Sequence, residues 1–251
     1  MRVFSLTIFA GSAKFAEMTI TLIKSEERGH ANYGWLDAYY SYSFARYYNP
    51  ARMGFGALRV LNDDTIAPNN GFPAHGHRDM EIITIMLAGR LTHKDSLGNE
   101  HVLEAGQIQV MSAGTGVVHS EMNASVEEEA KLIQVWILTS KAGQEPRYAE
   151  APYLSSENEI TTLVGPEGDA AGALEIRQQA WIRSGNYPED REVEYTLQPG
   201  SYGIKIFVLT GAVEVEGRVA KTRDALEITE AKTLTLRIEA NTKFLLFEVN
   251  A

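Results

Sequence analysis

Four side chains in two short stretches could act on one point. His75 and His77 are separated by a single residue, and His119 and Glu121 repeat that spacing further along the chain. Side chains alternate across a strand with period two, so each pair would project from one strand face. Two such strands facing one interior supply three imidazoles and one carboxylate. That set suits a divalent transition metal, because imidazole binds Fe, Ni, Cu or Zn and carboxylate suits the harder ions. A lone histidine is more often a surface or satisfied core residue, and an H-x-H pair also arises by chance. Here five of the six histidines fall between residues 75 and 119, and three of them stand in pairs that end at Glu121. The pairing is what points to a metal.

The remaining histidines read differently. His30, in Arg28-Gly-His-Ala-Asn, has no ligand-spaced partner nearby and reads as a hydrogen-bonded structural residue. His93 and His101 flank the polar turn Ser96-Leu-Gly98-Asn99 and read as solvated, outside the site. Met53, Phe55, Phe72, Met86 and Met111 are candidate pocket walls, though each taken singly reads as ordinary barrel core.

The elements that must position the four residues are strands. Met80–Leu87, Arg90–Asp95, Gln107–Met111 and Lys131–Leu138 are short apolar or alternating runs broken by glycine turns, the pattern of a sandwich or barrel. Gly29, Gly34, Gly54 and Gly56 argue against a helix between Ser25 and Asp64. The segment 141–152, with Pro146 and Pro152, reads as a linker, and a second set of strands follows it. Ile82–His93 and Ile206–Val215 share one unit of strand, glycine turn and strand, so an internal duplication of two β-barrels is the simplest account. No histidine follows His119, so only the first barrel can carry the site. Residues 1–17 could pass for a poor signal peptide but read better as an N-terminal extension, with a first strand opening at Met18.

Composition narrows the function. A chain of 251 residues with 44% hydrophobic and 22% charged side chains has apolar material for a full core. It needs no metal or disulfide merely to fold. Cysteine is absent, which removes disulfides, thiolate ligands and cysteine nucleophiles and fits a reducing compartment, the cytoplasm. A net charge of −10, with no basic cluster, disfavours direct binding to nucleic acid or to an anionic membrane. No apolar run reaches the ~18 residues of a membrane span.

These residues resemble the two motifs of the cupin superfamily. His75, His77, Glu81 and Gly89 match the first, and Gly116, His119 and Asn123 match the second. Seven residues separate Glu81 from Gly89 where the motif has about six, and Gly114 stands where the second motif has proline. More narrowly the chain is similar to the pirin family, bicupins that include bacterial quercetin 2,3-dioxygenases. The carriers are Arg28-Gly-His-Ala-Asn, Gly34-Trp-Leu, Met53-Gly-Phe, Leu58-Arg-Val, His75–Glu81, His93-Lys-Asp-Ser, Met111–Gly116 and His119-Ser-Glu121.

The resemblance implies an all-β bicupin of two tandem jelly-roll-like barrels. The first would span 18–140 with the metal site and the second 153–251 without one. It implies one divalent metal on His75, His77, His119 and Glu121, usually Fe(II), with Ni, Cu, Mn, Co or Zn also able to accept the set. Glu81 would face another partner. The implied activity is dioxygenase opening of the heterocycle of a flavonol, a small aromatic substrate, with dioxygen, Glu121 serving as ligand and base and the chain as a monomer. The same resemblance also allows a metal-binding regulatory protein that acts through a protein partner without turnover. A purely structural, storage-like bicupin is the third reading, and the intact ligand set argues against it.

Overall fold

Alternating apolar runs closed by glycine turns fold into two barrels of the same design. The computed structural model describes residues 18–153, 155–169 and 172–251, so the expected N-terminal extension lies outside the described residues. Among these, the three-residue 3-10 turn Ser25–Glu27 is the only helix. Among the described residues no helix is long and apolar enough to cross a membrane. Each barrel pairs a four-stranded sheet with a seven-stranded one.

In the first barrel the small sheet runs Gly71–His77, Val117–Asn123, Arg90–Asp95, Glu100–Glu104 in spatial order. The large sheet is centred on Gln107–Ser112, Met80–Ala88, Ala130–Leu138 and Leu58–Ile66. The second barrel repeats the plan with Arg191–Thr196, Thr233–Ile238, Ala212–Val215 and Arg218–Lys221 as its small sheet. The expected duplicated unit is present. Met80–Ala88 turns at Gly89 into Arg90–Asp95, and Gly203–Thr210 turns at Gly211 into Ala212–Val215. Gly89 has φ +70°, and a Cβ there would lie 2.3 Å from the Glu129 carbonyl oxygen, so only glycine fits.

The edges depart from the sequence reading. Arg147–Pro152, inside the supposed linker, is a strand that pairs antiparallel with Gln107–Ser112. Its prolines do not prevent this, because Pro146 precedes the strand and Pro152 ends it, where a ladder N–H is dispensable. Thr19–Ile23, placed by the sequence with the first barrel, pairs instead with Ala225–Thr229 of the second. Each barrel's open edge is thus covered by a segment that the sequence assigns elsewhere.

The two large sheets share one apolar core, in which Leu58, Ile83, Ile133 and Val135 of the first barrel meet Ile182, Phe207, Leu245 and Phe247 of the second. A buried ionic cluster joins them at one side. Arg52 donates to both oxygens of Glu227 at 2.7 and 2.8 Å, and Lys205 Nζ donates to Glu227 Oε1 at 2.9 Å and to Tyr42 Oη at 3.2 Å. Burial pushes Lys205 down to about 8 against the pull of Glu227.

Candidate metal centre

Register decides which side chains meet inside the first barrel. His119 lies opposite His75 on one side and Asp95 on the other, while Glu121 lies opposite His93. Directly paired residues share a face, so His75, His77, His119, Glu121, His93 and Asp95 all project inward. The pairing of 71–77 with 117–123 slips between His119 and Glu121, which leaves Pro73 and Ala74 opposite the single residue Ser120. Proline favours such a bulge, since it cannot donate to the ladder. Gly71 is required there too, because a Cβ would lie 2.2 Å from the Glu121 carbonyl oxygen.

The result is a knot of three imidazoles. The rings of His75, His77 and His119 stand 4.5 to 4.9 Å apart between centroids. One nitrogen from each lies within 4.8 Å of the other two. His75 Nδ1 donates to the Pro73 carbonyl oxygen at 2.8 Å, so in the neutral ring Nε2 carries a bare lone pair, and it lies 3.1 Å from His119 Nε2. Among the described residues, His77 Nε2 and His119 Nδ1 are buried without a hydrogen-bond partner. Burial, reinforced by the neighbouring imidazoles, holds His119 down to about 3, and burial with His75 holds His77 down to about 4. Both rings are therefore neutral at ordinary pH, the form that ligates metals. Converging lone pairs on neutral, under-bonded imidazoles fit a divalent transition ion.

Glu121 joins this knot from one side. It groups with His119 and His93 within 4.8 Å, not with His75 and His77. Its Oε1 accepts from Thr84 Oγ1 and Gln109 Nε2, each at 3.0 Å, and among the described residues nothing donates to Oε2. Burial pushes the carboxyl up to about 7 against those two hydrogen bonds. The donors belong to a polar row that crosses the large sheet. Gln109, Thr84, Gln134 and Asn62 lie directly opposite one another on successive strands. Gln109 also donates to Thr84 Oγ1 at 3.0 Å, and Tyr148 Oη lies 3.0 Å from Gln109 Oε1. Asp64, two residues beyond Asn62, is also buried, and burial, then Asp63 and Glu121, push its carboxyl well above the usual carboxylate range.

His93 corrects the sequence reading. It is wholly buried, not solvated, with Nε2 3.1 Å from Asp95 Oδ2, its ring stacked on Tyr148 at 4.7 Å and 5.3 Å from His119. The signal was present, since His93 and Asp95 have the same i, i+2 spacing as the other two pairs. Proximity to a polar turn obscured it. His101 is exposed as read, and His30 is hydrogen-bonded to Asp37 at 2.6 Å and stacked on Tyr39. Glu81 faces away from the knot and accepts from Ser112 Oγ at 2.5 Å.

The three histidines and Glu121 line a cavity of about 350 Å³ walled by Phe44, Phe72, Pro73, Ile82 and Trp136. Of the expected walls only Phe72 contributes. Met86 and Met111 are buried in adjoining clusters, Phe55 packs on Tyr202 across the barrel interface, and Met53 is partly exposed. Phe44, Pro73, Ile82 and Trp136 are the walls that sequence reasoning missed, Trp136 standing edge-on to His77 at 4.8 Å and to Phe44 at 5.3 Å.

Two jelly-roll barrels in tandem, one with an inward histidine knot, define a bicupin. Comparison with known proteins agrees: residues 22–137 match the model "Pirin" and residues 162–249 match "Quercetinase C-terminal cupin domain". A protein of Escherichia coli (strain K12) named quercetin 2,3-dioxygenase is 38% identical over 230 residues, 92% of this chain and 98% of the relative. A Pseudomonas aeruginosa protein that carries the same name provisionally is 43% identical over 224 residues, 88% of this chain and 95% of its own. The crystal structure of the E. coli bacterial pirin YhhW in complex with nickel(II) superposes with a TM-score of 0.88 at 38% identity, covering 92% of this chain and 99% of that one. This chain belongs to the pirin family.

Proposed function

We propose that the chain is a metal-dependent dioxygenase that opens the heterocycle of quercetin-type flavonols, with His75, His77, His119 and Glu121 holding one divalent metal. The observation that carries this is the knot of neutral, under-bonded imidazoles opening into an apolar cavity sized for a small aromatic ligand. The names of the E. coli and P. aeruginosa relatives support the reaction class, and the nickel(II) complex of the E. coli pirin supports a single metal. Fe(II) is the ion this reading favours, and Ni, Cu, Mn, Co or Zn fit the same donors.

When bound, the metal supplies a Lewis-acidic centre with open positions for oxygen ligands. The chain's residues do the rest. His75 is oriented by its bond to the Pro73 carbonyl, and Thr84 with Gln109 fixes one oxygen of Glu121. The other oxygen is left for the roles of ligand and of base toward the flavonol hydroxyl proton. Phe44, Phe72, Ile82 and Trp136 hold the planar rings and exclude water. Ring opening by dioxygen would then release carbon monoxide.

The test is anaerobic reconstitution with Fe(II), Ni(II), Cu(II), Mn(II) or Co(II), then quercetin in air with dioxygen and carbon monoxide followed. Turnover with at least one ion, absent in Glu121→Ala and His119→Ala, is expected. Tight metal binding without gas exchange for any ion would sink the dioxygenase reading and leave the regulatory one.

A further inference from the structure

Two members of the polar interior each keep an oxygen without a partner among the described residues. Asn62 lies directly opposite Gln134 at the end of the polar row, and Asp64 follows it on the same strand face. Only 2% and 3% of their surfaces are exposed, both line the cavity beside the histidines, and Asn62 Oδ1 and Asp64 Oδ1 have no hydrogen-bond partner among the described residues. Their neighbours differ. Gln109 and Thr84 are occupied with each other and with Glu121, and Gln134 Nε2 reaches the Ile83 carbonyl oxygen at 3.4 Å. Buried polar atoms are almost always bonded, so two unpartnered oxygens on residues that line one cavity mark a place where a ligand's polar groups would be taken in.

We propose that Asn62 and Asp64 form a hydroxyl-recognition subsite that reads the peripheral hydroxyls of a flat aromatic ligand whose other end lies at the histidines. This rests on the reading of the cavity as a flavonol-type site and specifies which members of that class it takes. Residues two apart on a strand are ~7 Å apart along it, so the subsite spans the edge of a ring and not a single substituent. Among the described residues no lysine or arginine lines the cavity, which leaves carboxylated or phosphorylated aromatics without a counter-charge at this subsite. The walls are apolar, so orientation within them falls to these two side chains.

The experiment is calorimetric binding by the metal-loaded chain without dioxygen. Its probes are quercetin and 3-hydroxyflavone, which keeps the metal-facing hydroxyl and lacks all others. The wild-type chain should prefer quercetin by about 10–100-fold, because a ligand without the hydroxyls leaves both oxygens unpaired. Asn62→Leu and Asp64→Leu should each remove about tenfold of that preference with 3-hydroxyflavone binding unchanged or tighter. Asp64→Asn, which keeps an acceptor in place, should retain the preference. Metal content and melting temperature report whether each variant is folded, and a Leu in place of an unpartnered buried polar group should not lower either. If the Leu variants weaken both probes equally, or leave the preference intact, the subsite is wrong while the flavonol reading stands. If quercetin does not bind but simple catechols bind better than their deoxy analogues, in a manner lost in Asp64→Leu, the flavonol reading fails and the subsite stands. If no hydroxylated aromatic is preferred, both fall.

Discussion

The two barrels have one topology and opposite interiors. On the small sheet of the first, the inward positions are His75, His77, His119, Glu121, His93 and Asp95. On the matching strands of the second they are Val193, Tyr195, Leu234, Leu236, Val213 and Val215. The polar row of the first large sheet, Gln109, Thr84 and Gln134, is answered by Leu226, Ile206 and Leu246. Where the second interior does carry charge, it is closed. Arg183 Nη1 donates to Glu248 Oε2 at 2.8 Å and to Tyr195 Oη at 2.6 Å, and Tyr195 donates to the same carboxylate at 2.5 Å. Among the described residues the first interior is open, with unpartnered buried atoms on Asn62, Asp64, His77, His93 and His119. The second barrel shows that this architecture is satisfied by leucine and valine at these positions. The polar set of the first is therefore kept at some cost in stability, as functional sites commonly are.

The closed cluster gives the largest expected effect. Arg183→Met leaves Glu248, which is wholly buried, without its cation, and losing one partner of a buried pair costs about 3–5 kcal/mol. Urea unfolding should show that loss while metal binding at the first barrel is unchanged. A loss below ~1 kcal/mol would mean that the second interior tolerates an unpaired charge as the first tolerates unpartnered polar atoms.

Acid should act next, at the junction of the barrels. Burial raises the Glu227 carboxyl, but Lys205 and Arg52 outweigh it and hold the group down to about 2, from its usual 4.5. A carboxyl depressed on folding contributes stability that is fully present above about 4.5 and is lost as pH falls toward about 2. The contribution is of the order of 3 kcal/mol. Glu227→Gln should flatten the acid limb of the stability curve between those values, as read by circular dichroism. An unchanged limb would show that Glu227 does not govern it.

A leucine at position 119 would make the first barrel resemble the second. His119→Leu removes the ring that touches both trios of candidate ligands. Nickel(II) or Fe(II) affinity should fall by more than the ~100-fold that follows loss of an outer partner. The metal-free variant should be no less stable than the metal-free wild type, and more stable by up to ~2 kcal/mol, since a partnerless buried nitrogen is replaced by an apolar group. Calorimetry on both metal-free proteins decides it. A destabilised variant would show that the knot is structural.

How much of this was legible beforehand depended on the range of the signal. That His75 and His77, and His119 and Glu121, each point to one side of a strand was readable because period-two spacing is local, and the duplicated strand–glycine–strand unit was readable for the same reason. His93 carried the same spacing with Asp95, but the identity of its opposite number, Glu121, is a matter of register and does not appear in either strand alone. Asn62, Asp64 and Trp136 were illegible for a related reason. They sit in strands rich in buried residues, and only the pairing with Gln134 and Val60 puts them on the inner face. The edge strands failed most plainly. Nothing in Thr19–Ile23 says which of two similar sheets it will complete.

That exchange of edges frames the smallest effect. Arg147–Pro152 closes the first large sheet and brings Tyr148 over the imidazole of His93, with Oη 3.0 Å from both Gln109 Oε1 and Glu150 Oε2. One phenolic proton serves only one acceptor at a time, so Tyr148→Phe removes a single hydrogen bond and keeps the stacking surface. Stability should fall by ~1 kcal/mol or less. Gln109 holds Glu121 through its amide nitrogen, on the opposite side of its side chain from Tyr148, so metal affinity should change by less than ~10-fold. A metal titration of Tyr148→Phe that shows a larger loss would mean that the added strand, and not only the barrel it completes, tunes the centre. The second barrel offers the contrast, because Thr19–Ile23 covers the same edge there over an interior with no histidine to tune.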